Sequence, residues 1–200
     1  MAPLFTKTIE QVFGVIAGIV LIIAGTTYLV SALKKSNPIK PRPISWFGWS
    51  IMMGISLLSQ VINKGFELSQ MGLLVSTICC VLIGILTILS KNYTIKPWDW
   101  LCLILGAICV AIYLSTKDAL LTTSIAILAD FLIAIPTVHN AYVKPLSEKT
   151  SAWMYGIISW SCTLIICIGH PIVYGLFAIY LFLFNTSMFV LTHRKPKAKF

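Results

Sequence analysis

Val12 to Leu33 reads VFGVIAGIVLIIAGTTYLVSAL and is closed at once by Lys34 and Lys35. An α-helix rises about 1.5 Å per residue, so an uninterrupted apolar run of this length matches a hydrocarbon core of about 30 Å. It is too long for the core of a cleavable signal, and the paired lysines act as a stop, so the expectation is that it stays in the protein. Six further apolar runs follow, near Ile44 to Ile62, Gln70 to Leu89, Trp98 to Ser115, Ala119 to Tyr142, Ala152 to Ile168 and Ile172 to Thr192. Polar residues gather in the short clusters between them. Of the 200 residues 58% are hydrophobic and only 10% charged, a composition that leaves too little polar surface for a water-soluble domain. A membrane β-barrel would alternate apolar and polar residues in segments of about 10, whereas these runs are continuously apolar. The sequence therefore predicts an all-α integral membrane protein with seven transmembrane helices.

Orientation follows from the basic residues. With the N-terminus outside, Lys34, Lys35, Lys40, Arg42, Lys91, Lys96, Lys144, Lys149, Arg194, Lys195, Lys197 and Lys199 fall inside, against Lys7, Lys64 and Lys117 outside. The net charge of +9 then describes a cytoplasmic face that attracts anionic headgroups, so the basic balance does not call for nucleic-acid binding. Trp46, Trp49, Trp98, Trp100 and Trp153 lie near the predicted cytoplasmic helix ends and are read as interfacial anchors. Short loops and the absence of sorting tails fit a bacterial inner membrane. All six cysteines, Cys79, Cys80, Cys102, Cys109, Cys162 and Cys167, fall inside predicted spans, where a free thiol behaves as a small apolar group. Their spacing suits no zinc site, and no cofactor is implied.

At an offset of 107 residues the chain shows a weak register with itself, placing Trp46 on Trp153, Leu21 on Leu128, Ile51 on Ile158, Pro38 on Pro145 and Arg42 on Lys149. The shared element is a basic residue, two more residues, Ser or Ala, then Trp at a helix start: Arg42-Pro43-Ile44-Ser45-Trp46 and Lys149-Thr150-Ser151-Ala152-Trp153. The offset maps spans one to three onto five to seven. A single intervening span is what two units of odd helix number need to share one orientation. Residues 1–90 are read as the first three-helix repeat, 91–117 as the linker helix, and 118–200 as the second repeat with a basic cytoplasmic tail. Parallel repeats predict a pseudo-twofold axis along the membrane normal and a solute site near the midplane between them.

With Pro136-Thr137, Tyr142, Lys149-Thr150 and Trp153 in the second half, and Tyr28, Lys40 and Ser45-Trp46 in the first, the chain resembles the SWEET and PQ-loop superfamily. Members of that group run three helices, a linker helix and three more. Thr137 stands where the family signature has Gln, and Leu29-Val30 occupies the other Pro-Gln position. The resemblance implies a transporter with prolines at its moving helix ends, for which Pro136 and Pro43 are the matching positions. A helix proline removes a ladder hydrogen bond and permits a bend, which independently makes Pro136 a candidate hinge. The resemblance further places Trp160 of helix six and Asn185 of helix seven where the family's Trp and Asn touch a sugar.

Asp130 is the only charged side chain well inside a predicted span. Burying a carboxylate there costs about 2.5–3.5 kcal/mol on insertion scales, so it is expected to face the bundle interior among Thr123, Ala126, Ala134 and Thr137. Two roles are open: proton coupling or solute binding, and a structural hydrogen bond between helices. Trp160 is read as a stacking surface or as core packing, and Asn185 as a solute-binding amide or an interhelical bond. Ser56, with Ser59 and Gln60, gives helix two a polar patch, and Ser56 is the member set as a solute contact. His139 and His170 are read as solvated.

Other seven-helix classes find no support: no Lys lies between Pro171 and Thr192 to hold retinal, and receptor signatures are absent. A lone Asp130 cannot provide the acid and base pair of a hydrolase, so no enzyme activity is expected. The expected function is alternating-access transport of a small polar metabolite, a sugar-like solute first, an amino acid or vitamin-like solute next, with a proton possible through Asp130. The alternative is a non-transporting membrane receptor or assembly protein, since the fold also resembles that of the KDEL receptor. Expected partners are the solute, the anionic bilayer face and, as an option, further copies of the chain.

Overall fold

The computed structural model describes residues 6–34, 39–91, 93, 95–115 and 118–194; the side chains of residues 59, 60, 62–64, 69, 113, 114, 119 and 122 are likewise outside the description. Lys35, Pro38, Lys117, the tail lysines Lys195, Lys197 and Lys199, and the side chains of Ser59 and Gln60 therefore lie outside it. Among the described residues there are seven α-helices and no strand: α1 Lys7–Leu33, α2 Pro43–Lys64, α3 Met71–Leu89, α4 Pro97–Ser115, α5 Ala119–Val143, α6 Ala152–Ile166 and α7 Ile172–His193. Two short 3-10 turns cover Leu68–Gln70 and Pro145–Glu148.

The helix ends follow local chemistry. Pro43 opens α2 at its first position, where a missing N–H costs no ladder bond. Gly65, at φ +76°, closes that helix with its N–H on Val61 O. The Asp118 side chain caps α5 by accepting from Leu121 N at 2.7 Å. α1 begins five residues before the apolar run, because Lys7 and Glu10 belong to a polar first turn held by partners elsewhere: Lys7 Nζ on Glu67 at 3.0 Å and Glu10 on His170 at 2.9 Å.

Four stretches, Lys7–Leu33, Met71–Leu89, Thr123–Val143 and Ile172–His193, are long and apolar enough to cross a membrane; Pro43–Leu58, Pro97–Ile112 and Ala152–Ile166 are shorter apolar helices. Polarity is distributed as a bilayer requires. Ile19 and Ile22 of α1, Ile78 and Leu82 of α3, Leu128 and Phe131 of α5, and Leu183 and Val190 of α7 face outward, while Ser45, Thr87, Asp130, Thr137, Ser159, Asn185 and Thr192 are buried.

The main helix neighbours close into a cycle: α1 packs on α3, α3 on α2, α2 on α5, α5 on α7, α7 on α6, and α6 back on α1. α4 lies against α5 and α2. Small residues let the backbones approach. Ile133 of α5 fills hollows left by Gly48 of α2 and Gly106 of α4, where an added Cβ would stand 2.5 and 2.7 Å from its atoms. The ring of Phe47 fills a similar hollow at Gly84 of α3.

Pro136 lies inside α5 without ending it. Within the same turn Ser45 Oγ of α2 donates to Ile133 O at 2.7 Å, which ties α2 to α5 one residue beyond Leu132, the position whose carbonyl loses its ladder donor to Pro136. On the opposite side of the cycle Ser159 Oγ of α6 donates to Ala17 O of α1 at 3.0 Å.

Three of the five expected anchors are core residues instead. Trp46, Trp49 and Trp153 are buried, whereas Trp100 is exposed and Trp98 packs edge-on to His139 at 5.1 Å. A Trp near a helix end is compatible with a headgroup or with a neighbouring helix, and the neighbours decide which.

Candidate functional site

One stripe from each of five helices lines a cavity of about 90 Å³. α1 supplies Leu21, Ala24, Gly25 and Tyr28, and α2 supplies Trp46, Trp49 and Met53. Ser76, Cys79, Cys80 and Ile83 come from α3, Ala152, Trp153, Gly156 and Trp160 from α6, and Leu181, Phe184 and Asn185 from α7. Each set recurs at three- or four-residue steps, as one helix face must. The volume suits several waters or one small solute. Among the described residues the lining carries no Asp, Glu, Lys, Arg or His.

Its wall is aromatic at one end. Tyr28 packs on Trp46 with centroids 4.6 Å apart and edge-on to Trp153 at 5.8 Å. Trp46 and Trp153 are themselves stacked, 6.4 Å apart and 24° from parallel. Trp49 and Phe184 complete the cluster. The indole nitrogens of Trp46 and Trp49 are buried without a hydrogen-bond partner among the described residues. Ring faces with few donors offer stacking surfaces in place of charged contacts.

Asn185 donates from Nδ2 to Leu181 O of its own helix at 2.8 Å, and its amide occupies the space Gly156 leaves open on α6. A Cβ at Gly156 would stand 2.1 Å from Asn185 Oδ1. Trp160 lines the cavity and also packs with Ala178 and Leu181. The structure thus brings Trp160 and Asn185 to one chamber. It does not bring Asp130 or Ser56 there: neither belongs to the lining, and Ser56 is half-buried on α2.

Asp130 is fully buried one layer behind that wall. Tyr180 of α7 donates to its Oδ2 at 2.7 Å, and Trp49, a lining residue, lies beside it. Tyr180 stacks on Phe184 at 6.2 Å, another lining residue. Asp130 therefore touches the cavity through two aromatic side chains rather than directly. Pro136 sits six residues further along α5, and Pro43 marks the junction between a loop and α2 rather than a bend within it.

Below the aromatic cluster, residues that sequence reasoning passed over form a buried polar layer. Glu148, in the turn between α5 and α6, accepts from Tyr28 Oη of α1 at 2.7 Å and from Asn140 Nδ2 at 3.3 Å. Trp153 Nε1 donates to the backbone oxygen of the same residue at 3.0 Å. Arg42 Nη1 pairs with Asp99 Oδ2 at 2.9 Å, both side chains buried. Two further bonds cross the same junction: Ser31 with Thr150 at 3.0 Å and Lys40 N with Ser147 O at 2.8 Å. Burial pushes the Glu148 carboxyl up to about 8, and the bonds from Tyr28 and Asn140 and the charge of Arg42 only partly oppose it.

No family model, curated protein or solved structure matches this chain.

The only sequence signal for Glu148 was an acid placed between Lys144 and Lys149 in a basic loop. At the opposite end of the bundle His170, read as solvated, is bonded to Glu10, which joins the α6–α7 turn to the start of α1. Among the described residues no cluster of His, Cys, Asp and Glu is arranged to hold a metal.

Proposed function

We propose that the chain is a seven-span membrane transporter that carries a small polar solute by alternating access, with two three-helix units of one orientation joined by α4. The cavity carries this reading: an aromatic-walled chamber at the meeting of α1, α2, α3, α6 and α7, holding Trp160 and Asn185, with Tyr28, Trp46 and Trp153 packed together at one end. Two observations support the repeat. Exchanging α1 with α5, α2 with α6 and α3 with α7 converts the cycle of helix neighbours into itself. The stacked pair Trp46 and Trp153 is the pair that the 107-residue register equates, as side chains near a twofold axis would be.

The distribution of basic residues supports an N-terminus outside and a cytoplasmic Tyr28 end, and a bacterial inner membrane is the proposed location. Neutral sugar-like solutes are favoured over charged ones by a lining without ionisable acids or bases of the usual kind. Pro136 is the proposed bend in α5, and Asp130, bonded to Tyr180, the proposed seat of a coupled proton. A receptor of the KDEL type would need a charged ligand cleft, and the chamber offers none.

Counterflow of labelled sugars and amino acids in proteoliposomes tests the proposal. Saturable exchange lost in Trp160→Ala and Asn185→Ala is expected. Binding of a solute without flux would reverse the conclusion in favour of the receptor.

A further inference from the structure

Tyr28 belongs to two structures at once. Its ring lines the cavity, and its hydroxyl is bonded to Glu148 on the far side of the junction between the two halves of the chain. Opening this end of the chamber has to separate α1 from the α5–α6 turn, and with it the Tyr28–Glu148 bond, the Ser31–Thr150 bond and the Lys40–Ser147 bond. We propose that Glu148 is a proton-binding latch: shutting the Tyr28 end of the cavity takes up one proton from solution, and opening that end releases it.

The inference rests on the reading of the cavity as a chamber whose ends open in turn. Its physical basis is the burial of a carboxyl that a single movement would expose. Shut, Glu148 has no solvent exposure, and its two oxygens accept from a phenol and an amide. Neither donor carries a charge, so little offsets the loss of water around an anion.

The groups facing the latch come from every element around it. α1 contributes Tyr28, and the start of α2 contributes Arg42, whose Nη1 is engaged with Asp99 of α4. α5 contributes Asn140, while His139 is turned to Trp98. α6 contributes the Trp153 indole. At the end of α7, His193 is bonded to Phe189 O and Arg194 to Tyr142 O. Lys144 and Lys149, which flank the turn, are exposed. Of these, Arg42 favours the charged form of Glu148, and burial outweighs it.

The sign follows from linkage. With the shut-state carboxyl near 8 and the ordinary value at 4.5, the shut state holds the extra proton between those limits. Its advantage over the open state is complete below about 4.5 and falls about tenfold per pH unit until it is lost above about 8. Rising pH on that side therefore opens the gate.

Two measurements on the full chain in lipid nanodiscs test this without any transport assay. Infrared difference spectra of wild type against Glu148→Gln should contain a protonated carboxylic acid band that disappears as pH rises past about 8. Acrylamide quenching of tryptophan fluorescence should rise over the same window in wild type, as Trp46 and Trp153 become accessible, and stay low at every pH in Glu148→Gln. Tyr28→Phe removes a bond that opposes the upward shift of Glu148, so the acid band should persist to higher pH in that variant than in wild type. An absent acid band, or the same quenching curve in wild type and Glu148→Gln, overturns the latch. Titration of the latch in a protein that shows no counterflow would sustain it and remove transport, and counterflow without that titration would do the reverse.

Discussion

The Arg42–Asp99 pair offers the sharpest energetic test, because both side chains are almost wholly out of solvent, at 2% and 0% exposure. Solvent screening, which reduces exposed pairs to 0–1 kcal/mol, has little hold here. Removing one partner leaves the other charge buried alone, which costs about 3–5 kcal/mol. Asp99 also accepts from Lys96 N at 2.9 Å at the start of α4, so Asp99→Ala forfeits that bond as well. Asp99→Asn is the milder control, since it keeps an acceptor and removes only the charge. For a chain of this size each kcal/mol is worth roughly 2–4 °C, so either single alanine variant should lower the unfolding midpoint by about 6–20 °C. The double variant Arg42→Met with Asp99→Leu removes both charges and fills the space, and should regain most of that loss. Thermal unfolding in detergent, followed by fluorescence, reads all four variants against wild type. Single variants that shift the midpoint by less than about 3 °C, or a double variant whose loss equals the sum of the singles, would refute a buried and coupled pair.

Two further variants address the chamber. Gly156→Ala adds a methyl 2.1 Å from Asn185 Oδ1, so the amide must leave its place. An unhindered Gly-to-Ala change in a helix gains about 1 kcal/mol, and overpacking costs about 1–3 kcal/mol, so a net loss of up to about 2 kcal/mol is expected, with at least a tenfold weaker half-saturation for the counterflow solute. Unchanged affinity in a stabilised protein would separate Asn185 from the site. Asp130→Asn should abolish accumulation driven by a pH gradient while leaving downhill exchange. Unaltered gradient-driven uptake would remove Asp130 from proton coupling.

Much of the helix pattern was legible because its cause is local. Apolar runs set by bilayer thickness put helix boundaries within two residues of those observed at nearly every end. α1 is the exception, since its polar first turn is held by Glu67 and His170 from distant parts of the chain. The burial of Asp130 was legible for a similar reason: a carboxylate in mid-helix has to turn inward, whatever it meets there. What it meets was not legible. Tyr180 lies 50 residues away on another helix, and no spacing rule connects the two.

Trp46 and Trp153 mark the boundary between the two kinds of information. Their shared position at a helix start is a property of the sequence, and it carries the weak register at an offset of 107 residues. Burial of both rings against each other and Tyr28, in place of contact with headgroups, depends on how α1, α2 and α6 pack. Glu148 follows the same logic. Between two lysines it reads as an ordinary loop acid, and only the fold of α1 across the α5–α6 turn removes it from water. Helix formation in a bilayer is decided residue by residue by hydrogen-bond satisfaction and apolar length, so sequence alone determines it. The chamber and its latch arise from contacts between residues about 100 positions apart, which exist only once the helices have chosen their neighbours.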